Sequence, residues 1–151
     1  QSAFLQENFK IYDGPPPEIN LTNEKNNGLA VLKLIKDNLV LSAHDISSGG
    51  MLTSLAEMSM ASKIGLKIYK PKKLIDPIEY FFGEDQGRYL IEIDKNNRKK
   101  IESLLKENNI FSEVIAEVQN DIFEIEKTFS IKVSDLCNSN NQWYHKFNAI
   151  K

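Results

Sequence analysis

Leu39-Val40-Leu41-Ser42-Ala43-His44-Asp45-Ile46-Ser47-Ser48-Gly49-Gly50 is the stretch whose reading settles the fold. Leu39 to Ala43 is a short apolar run of the length expected for a buried strand. Two polar side chains follow, and the paired glycines deliver the chain into a helix. That helix shows Leu52, Leu55, Ala56 and Ser59 at i, i+3, i+4 and i+7, the spacing of one apolar face. Gly65 is placed to end it. Leu66, Ile68 and Lys70 then open a second strand, which Pro71 interrupts. Strand, glycine turn, helix and strand in succession are the beginnings of an α/β arrangement.

Upstream, Ser2 to Phe9 can form a short helix with Phe4, Leu5 and Phe9 on one side. Asp13-Gly14-Pro15-Pro16-Pro17 cannot be helix interior and reads as a stiff extended connector. From Leu21 the pattern is helical, with Thr22 and Asn23 as candidate caps and Leu32 and Ile35 at helical spacing. Downstream, Lys72 to Phe82 reads as an irregular connection broken by Pro77. Arg88 to Asp94 alternates like a strand, and Asn97 to Glu107 is an amphipathic helix carrying Ile101, Leu104 and Leu105. Val114, Ala116 and Val118 mark another strand. Gln119-Asn120-Asp121 turns the chain so that Ile122 to Glu126 pairs back as a hairpin. Ile131 and Val133 complete the strands, and Ser134 caps a last helix whose Leu136, Trp143 and Phe147 can pack on the domain. The expected fold class is therefore α/β of the α+β type, a mixed β-sheet with helices packed on its faces. Its parts are an extended lead-in over 1–20, a core over 21–133 and a C-terminal helix over 134–151.

At 151 residues, 41% hydrophobic and 26% charged, the chain suits one compact domain and is not disordered as a whole. A net charge of −2 with lysines scattered among acids argues against a nucleic-acid surface. No apolar run approaches the ~20 residues that span a bilayer. A lone Cys137 makes no internal disulfide and lacks zinc-site spacing, which points to a reducing, cytoplasmic setting. The chain begins at Gln1 rather than Met, and it reads as a piece of a longer polypeptide.

Two segments have the composition of a site. In the first, the His44-Asp45 pair precedes Gly49-Gly50 at a helix N-terminus, where exposed N–H groups and the helix dipole seat phosphate or carboxylate. His44 can donate a hydrogen bond, and Asp45 can hold Mg²⁺ alongside phosphate oxygens. The competing explanation is a tight turn with a serine cap and a structural histidine. In the second, Gly83-Glu84-Asp85-Gln86-Gly87-Arg88 puts two acids, an amide and an arginine ahead of a strong strand. Gln86 can read the polar edge of a ligand and Arg88 can pair with phosphate. Equally, Glu84 and Asp85 can pair with Arg88 or cap a neighbouring turn and leave no site. His145, Cys137 and the Lys95, Arg98, Lys99, Lys100 cluster read as surface or solvated residues, and Met51, Met58 and Met60 as core.

These two segments, about forty residues apart, carry a resemblance. Ala43 to Gly50 followed by Ala56-Glu57-Met58, and Phe82 to Arg88, resemble the two signatures of the C-terminal-type domain of the aminoimidazole-ribonucleotide-synthetase superfamily. Within it the likeness is to the second such domain of phosphoribosylformylglycinamidine synthases. Gly14-Pro15-Pro16-Pro17, Glu24-Lys25 and the opening Ser2-Ala3-Phe4-Leu5 also resemble that family, so the likeness runs from Ser2 to about Trp143. Ser48 departs from it, standing where the family usually has aspartate.

The resemblance implies an ATP- and Mg²⁺-dependent ligase that amidates formylglycinamide ribonucleotide in purine biosynthesis, with ammonia derived from glutamine. It further implies a fragment inactive alone, completed by N-terminal domains and served by separate glutaminase and small accessory subunits. His44, Asp45, Gly49, Gly50, Gly83, Glu84, Asp85, Gln86 and Arg88 become substrate or auxiliary-nucleotide positions, with Asp45 the metal position. Because the likeness is to the second copy of the domain, these loops are expected to line the auxiliary site or brace an interface, with direct contact in the catalytic site as the alternative. The alternatives are a domain of aminoimidazole ribonucleotide synthetase or a related ATP-dependent enzyme, and a structural or nucleotide-binding module.

Overall fold

The structure, a computed structural model, describes residues 2–71 and 75–149. Its elements run α1 (Ala3–Phe9), α2 (Leu21–Lys36), β1 (Ser42–Asp45), α3 (Gly50–Ser62), β2 (Gly65–Ile68), α4 (Pro77–Phe82) and β3 (Tyr89–Glu92). A 3₁₀ turn (Lys95–Asn97) then leads into α5 (Arg98–Glu107), β4 (Ala116–Gln119), β5 (Ile122–Ile125), β6 (Phe129–Lys132) and α6 (Val133–Ala149). The chain divides into two compact units. One comprises Gln1–Ser54 with Asp76–Glu113, the other Leu55–Ile75 with Val114–Lys151. The α+β class expected from the sequence is the one observed.

The first unit is built on an antiparallel ribbon of β1 and β3, in which Ser42 faces Glu92 and Asp45 faces Tyr89. Leu34 and Leu39, from α2 and its exit, meet Ile101 and Leu105 of α5 in its buried core, with Ile91 and Ile93 packed against them. Three local expectations change here. The α2 cap is Asn20, whose side chain accepts the Asn23 N–H at 3.0 Å, so Thr22 and Asn23 lie inside the helix. The inward residue of α2 is Leu34, fully buried, while Leu32 and Ile35 stay 45% and 46% exposed. Leu39 belongs to the helix exit, where Asn38 adopts a left-handed conformation, and the strand starts only at Ser42.

The supposed irregular connection contains α4. Asp76 caps it by accepting from the Ile78 N–H at 2.7 Å, and Pro77 occupies the first turn, where its missing N–H is no loss. Residues 72–74 of that connection lie outside the described residues.

The second unit holds a four-stranded sheet in the order β4-β2-β5-β6, mixed because β2 runs parallel to β5 and antiparallel to β4. The expected β4–β5 hairpin is therefore not formed: β2 lies between the two, with Leu66 opposite both Val118 and Phe123. Gly65 explains the fit. A Cβ there would run into the Ile122 backbone, and its own N–H donates to Asn120 O at 2.7 Å. Gly65 is thus the first residue of β2, and Lys63, with φ 57°, ends α3 instead. The hairpin is β5–β6, turning at Lys127 with φ 54°. Ile68, Phe123, Ile125 and Val133 are buried in this unit. Val133 opens α6 rather than closing a strand, and along that helix Trp143 and Phe147 stack on each other while remaining 64% and 55% exposed. Among the described residues no helix is long and apolar enough to cross a membrane.

Candidate functional site

The ribbon brings the two loops to one place. Pairing Asp45 with Tyr89 lays the end of β1 along the start of β3, and the Ile46 N–H continues the ladder to Arg88 O at 2.9 Å. Beyond Ile46 the chain turns, with the Gly50 N–H donating to Ser47 O at 3.0 Å, and enters α3. Gly49 and Gly50 take φ values of 85° and 73°, a conformation open to glycine and costly for residues with a Cβ. Gly50 also lies against the main chain of Phe82, so closely that a Cβ would stand 2.6 Å from the Phe82 carbonyl carbon. The glycine turn and the end of α4 are thus packed backbone on backbone.

The acidic loop follows α4 directly. Gly83 is held by its N–H to Glu79 O at 3.0 Å. Glu84 turns inward, and its Oε1 accepts both the Gly49 N–H at 2.8 Å and the Ala3 N–H at 2.7 Å. Asp85 pairs with Arg88 at 3.2 Å, and the same guanidinium nitrogen donates to Gly83 O at 3.4 Å. With Asp85 largely exposed, that pair adds little stability but keeps the guanidinium turned back on its own loop. Gln86 is exposed. Gly87 rests against Glu24 of α2, and the Asn27 side-chain amide donates to Gly87 O at 2.9 Å.

His44 and Asp45 are placed differently from each other. The His44 side chain is 29% exposed and its Nδ1 lies 2.6 Å from Asp45 O; a carbonyl only accepts, so Nδ1 carries the proton. Asp45 closes β1 with its side chain 69% exposed. Among the described residues no three His, Cys, Asp or Glu side chains gather as metal ligands. Asp45 thus offers Mg²⁺ one carboxylate, a number that fits the ion only where phosphate oxygens and water fill the remaining positions. Nearby, Tyr80 has its phenol pushed above the ordinary value by burial and then by the Glu113 carboxylate, against the lowering effect of Arg88. It is a neutral hydroxyl at physiological pH.

Every expected site residue except Gln86 is therefore tied into one cluster or stands at its edge. Of the two readings open for the acidic loop, the internal one is observed: Asp85 pairs with Arg88, and Glu84 takes the N–H ahead of α3. The sequence did not mark Asn27, an ordinary polar residue in a helix, as the support beneath that loop. Such a support leaves no trace in spacing or composition.

A ribbon that ends in a glycine turn and an acidic loop, in a chain that also holds a four-stranded mixed sheet, defines an α+β domain with its candidate chemistry on loops. Over residues 2–126 the chain matches the family described as AIR synthase related protein, C-terminal domain, and it belongs to that family. It is 42% identical over 143 residues to the phosphoribosylformylglycinamidine synthase subunit PurL of Pelagibacter ubique, covering 95% of this chain and 20% of that protein. The subunit of the same name from Bartonella bacilliformis is 36% identical over 147 residues, covering 97% of this chain and 20% of the relative. The chain thus spans about a fifth of the length of the curated relatives it matches. Among solved structures it resembles PurLQS from Thermotoga maritima, with a TM-score of 0.68 at 20% identity over 88% of this chain and 24% of that one. It also resembles T. maritima PurL complexed with ATP, with a TM-score of 0.65 at 20% identity over 75% and 21%. At these identities the structural likeness speaks for the fold.

Proposed function

We propose that this chain is the C-terminal domain of an ATP-dependent carbon–nitrogen ligase, phosphoribosylformylglycinamidine synthase, which amidates formylglycinamide ribonucleotide in purine biosynthesis. The observation that carries the reading is the 42% identity to the Pelagibacter subunit across 95% of the chain. The convergence of the two signature loops on one cluster supports it. In the reaction, the glycinamide carbonyl oxygen takes the γ-phosphoryl group of ATP, ADP leaves, and ammonia displaces phosphate from that carbon to give the amidine, the formyl group staying in place. Mg²⁺ supplies charge neutralisation on the phosphates when bound, with Asp45 the residue placed to contribute a ligand. The domain works as a single C-terminal piece of a cytoplasmic enzyme. It depends on N-terminal domains of the same polypeptide, and on glutaminase and small accessory subunits that deliver ammonia. In keeping with that, T. maritima PurL is solved as PurLQS and in complexes with FGAR, ATP and ADP.

Within that enzyme the two loops of this domain face the auxiliary nucleotide site or brace an interface rather than the reacting atoms. The satisfied state of the loop favours this: Glu84 is filled by two backbone N–H groups and Arg88 by Asp85 and Gly83. The test is turnover by the full-length enzyme with ATP, Mg²⁺ and high ammonia. Formylglycinamide ribonucleotide and its amidine are offered separately, with the 151-residue chain run alongside. Turnover of the first substrate with an inert fragment is expected. Turnover of the amidine alone would move the chain to the synthetase relative, and an active fragment would overturn its incompleteness. In the same assay, Asp85→Ala with Gln86→Ala should leave kcat within about fivefold, less than 1 kcal/mol of barrier, while nucleotide retention or subunit assembly weakens. Complete loss of turnover in a folded enzyme would put the loop in the catalytic site.

A further inference from the structure

Glu84 belongs by sequence to a loop of polar residues offered to a ligand, yet its carboxylate is spent inside the protein. Its Oε1 accepts from Ala3 N at 2.7 Å and Gly49 N at 2.8 Å, donors 81 and 35 residues away along the chain. Both donors stand at helix starts. Ala3 is the first residue of α1 and Gly49 immediately precedes α3, so each N–H is among those that no intrahelical carbonyl can satisfy. One carboxylate oxygen thus takes an otherwise unsatisfied N–H at each of two helix starts, and charge-assisted bonds of this length are the strong kind. The contacts around it are equally local. The Phe4 ring of α1 stacks on Phe82 with centroids 4.1 Å apart, and the Phe82 main chain is what Gly50 packs against. Segment, loop and glycine turn meet around this one side chain.

We infer that Glu84 is a positioning residue: through Oε1 it ties the α1 segment to the Gly49-Gly50 turn, setting the direction in which that turn and the neighbouring Asp45 face a ligand. Glu84 itself does not touch the ligand. Because one oxygen serves both donors, displacing α1 leaves the carboxylate with a single anchor, and the turn follows. The inference rests on the functional reading above, since it is the full enzyme's nucleotide that this turn is taken to face.

Charge and reach can be separated by three substitutions in the full-length enzyme. Glu84→Gln keeps an acceptor oxygen at the same distance from the backbone and removes the charge. Glu84→Asp keeps the charge but is one methylene short of two donors. Glu84→Ala removes both. ADP affinity is measured by equilibrium dialysis, with thermal unfolding run beside it. The expected order is Gln within about threefold of the parent and Asp and Ala weaker by about tenfold, a difference near 1.4 kcal/mol. The reverse order, with Asp near the parent and Gln as weak as Ala at unchanged melting temperature, would show that the charge meets ligand or metal directly and would overturn the inference. Equal affinity in all three would also overturn it, because two lost anchors would then position nothing. If the alanine enzyme does not fold, the Gln-against-Asp order decides alone. Turnover of formylglycinamide ribonucleotide by the parent enzyme is scored separately, so failure of the functional reading shows there and not in this ranking.

Discussion

Gly50→Ala should lower the stability of the chain by about 2–5 kcal/mol and loosen the candidate site at the same time. Two costs combine. Gly50 has φ 73°, where a residue with a Cβ loses roughly 1–2 kcal/mol to steric conflict with its own carbonyl. The added methyl group would also meet the Phe82 main chain at 2.6 Å. Backbone cannot rotate away as a side chain can, so α3 or the end of α4 must move, and overpacking of this kind costs typically 1–3 kcal/mol. Gly49→Ala is the useful comparison. Its φ of 85° carries a similar strain, but the obstacle is the Thr53 side chain, whose hydroxyl donates to Gly49 O at 2.9 Å. The loss there should be the smaller of the two. Urea unfolding of the 151-residue chain measures both. A Gly50→Ala midpoint matching the parent would mean that turn and helix end are not in backbone contact.

That contact marks the boundary of what sequence reading can reach. Each loop was legible by itself, because glycine pairs, acids and a helix start leave compositional marks at short range. Their convergence was not, since it depends on the β1–β3 register, and Asp45 facing Tyr89 is a pairing between residues 44 positions apart. The same distance effect explains the sheet. A turn at Gln119-Asn120-Asp121 flanked by apolar residues has the local look of a hairpin, and only the docking of β2 between β4 and β5 denies it. Local rules also failed where two signals competed. By itself Pro77 reads as a breaker, but behind the Asp76 cap it is a first-turn residue. Glu84 shows the same limit in chemistry. Composition tells that a carboxylate is present in a glycine-bounded loop; whether it meets solvent, ligand or two backbone N–H groups is decided by residues 81 and 35 positions away.

Leu34→Ala and Leu32→Ala should separate by at least about 1.5 kcal/mol, although both remove the same atoms from the same helix. Leu34 is fully buried, packed with Leu39, Ile101 and Leu105 and flanked by Ala30, Val40 and Ile91. Truncating it removes the transfer free energy of three carbons and leaves a cavity that α2 and α5 cannot fill without moving. Losses of about 2–5 kcal/mol are usual for that combination. Leu32 is 45% exposed, so its truncation in the isolated chain should stay within roughly 0.5 kcal/mol. The pair decides which face of α2 carries the core, since helical spacing admitted Leu32 and Ile35 as the inward stripe. Equal losses would place both residues inside and require α2 to be rotated about its axis. A repeat in the full-length enzyme adds a second reading. Leu21, Leu29, Leu32 and Ile35 are all exposed here, a row of apolar side chains along one helix. If Leu32→Ala is harmless in the short chain and damaging in the long one, the rest of the enzyme covers that face, and the apolar spacing of α2 answers to two partners rather than one.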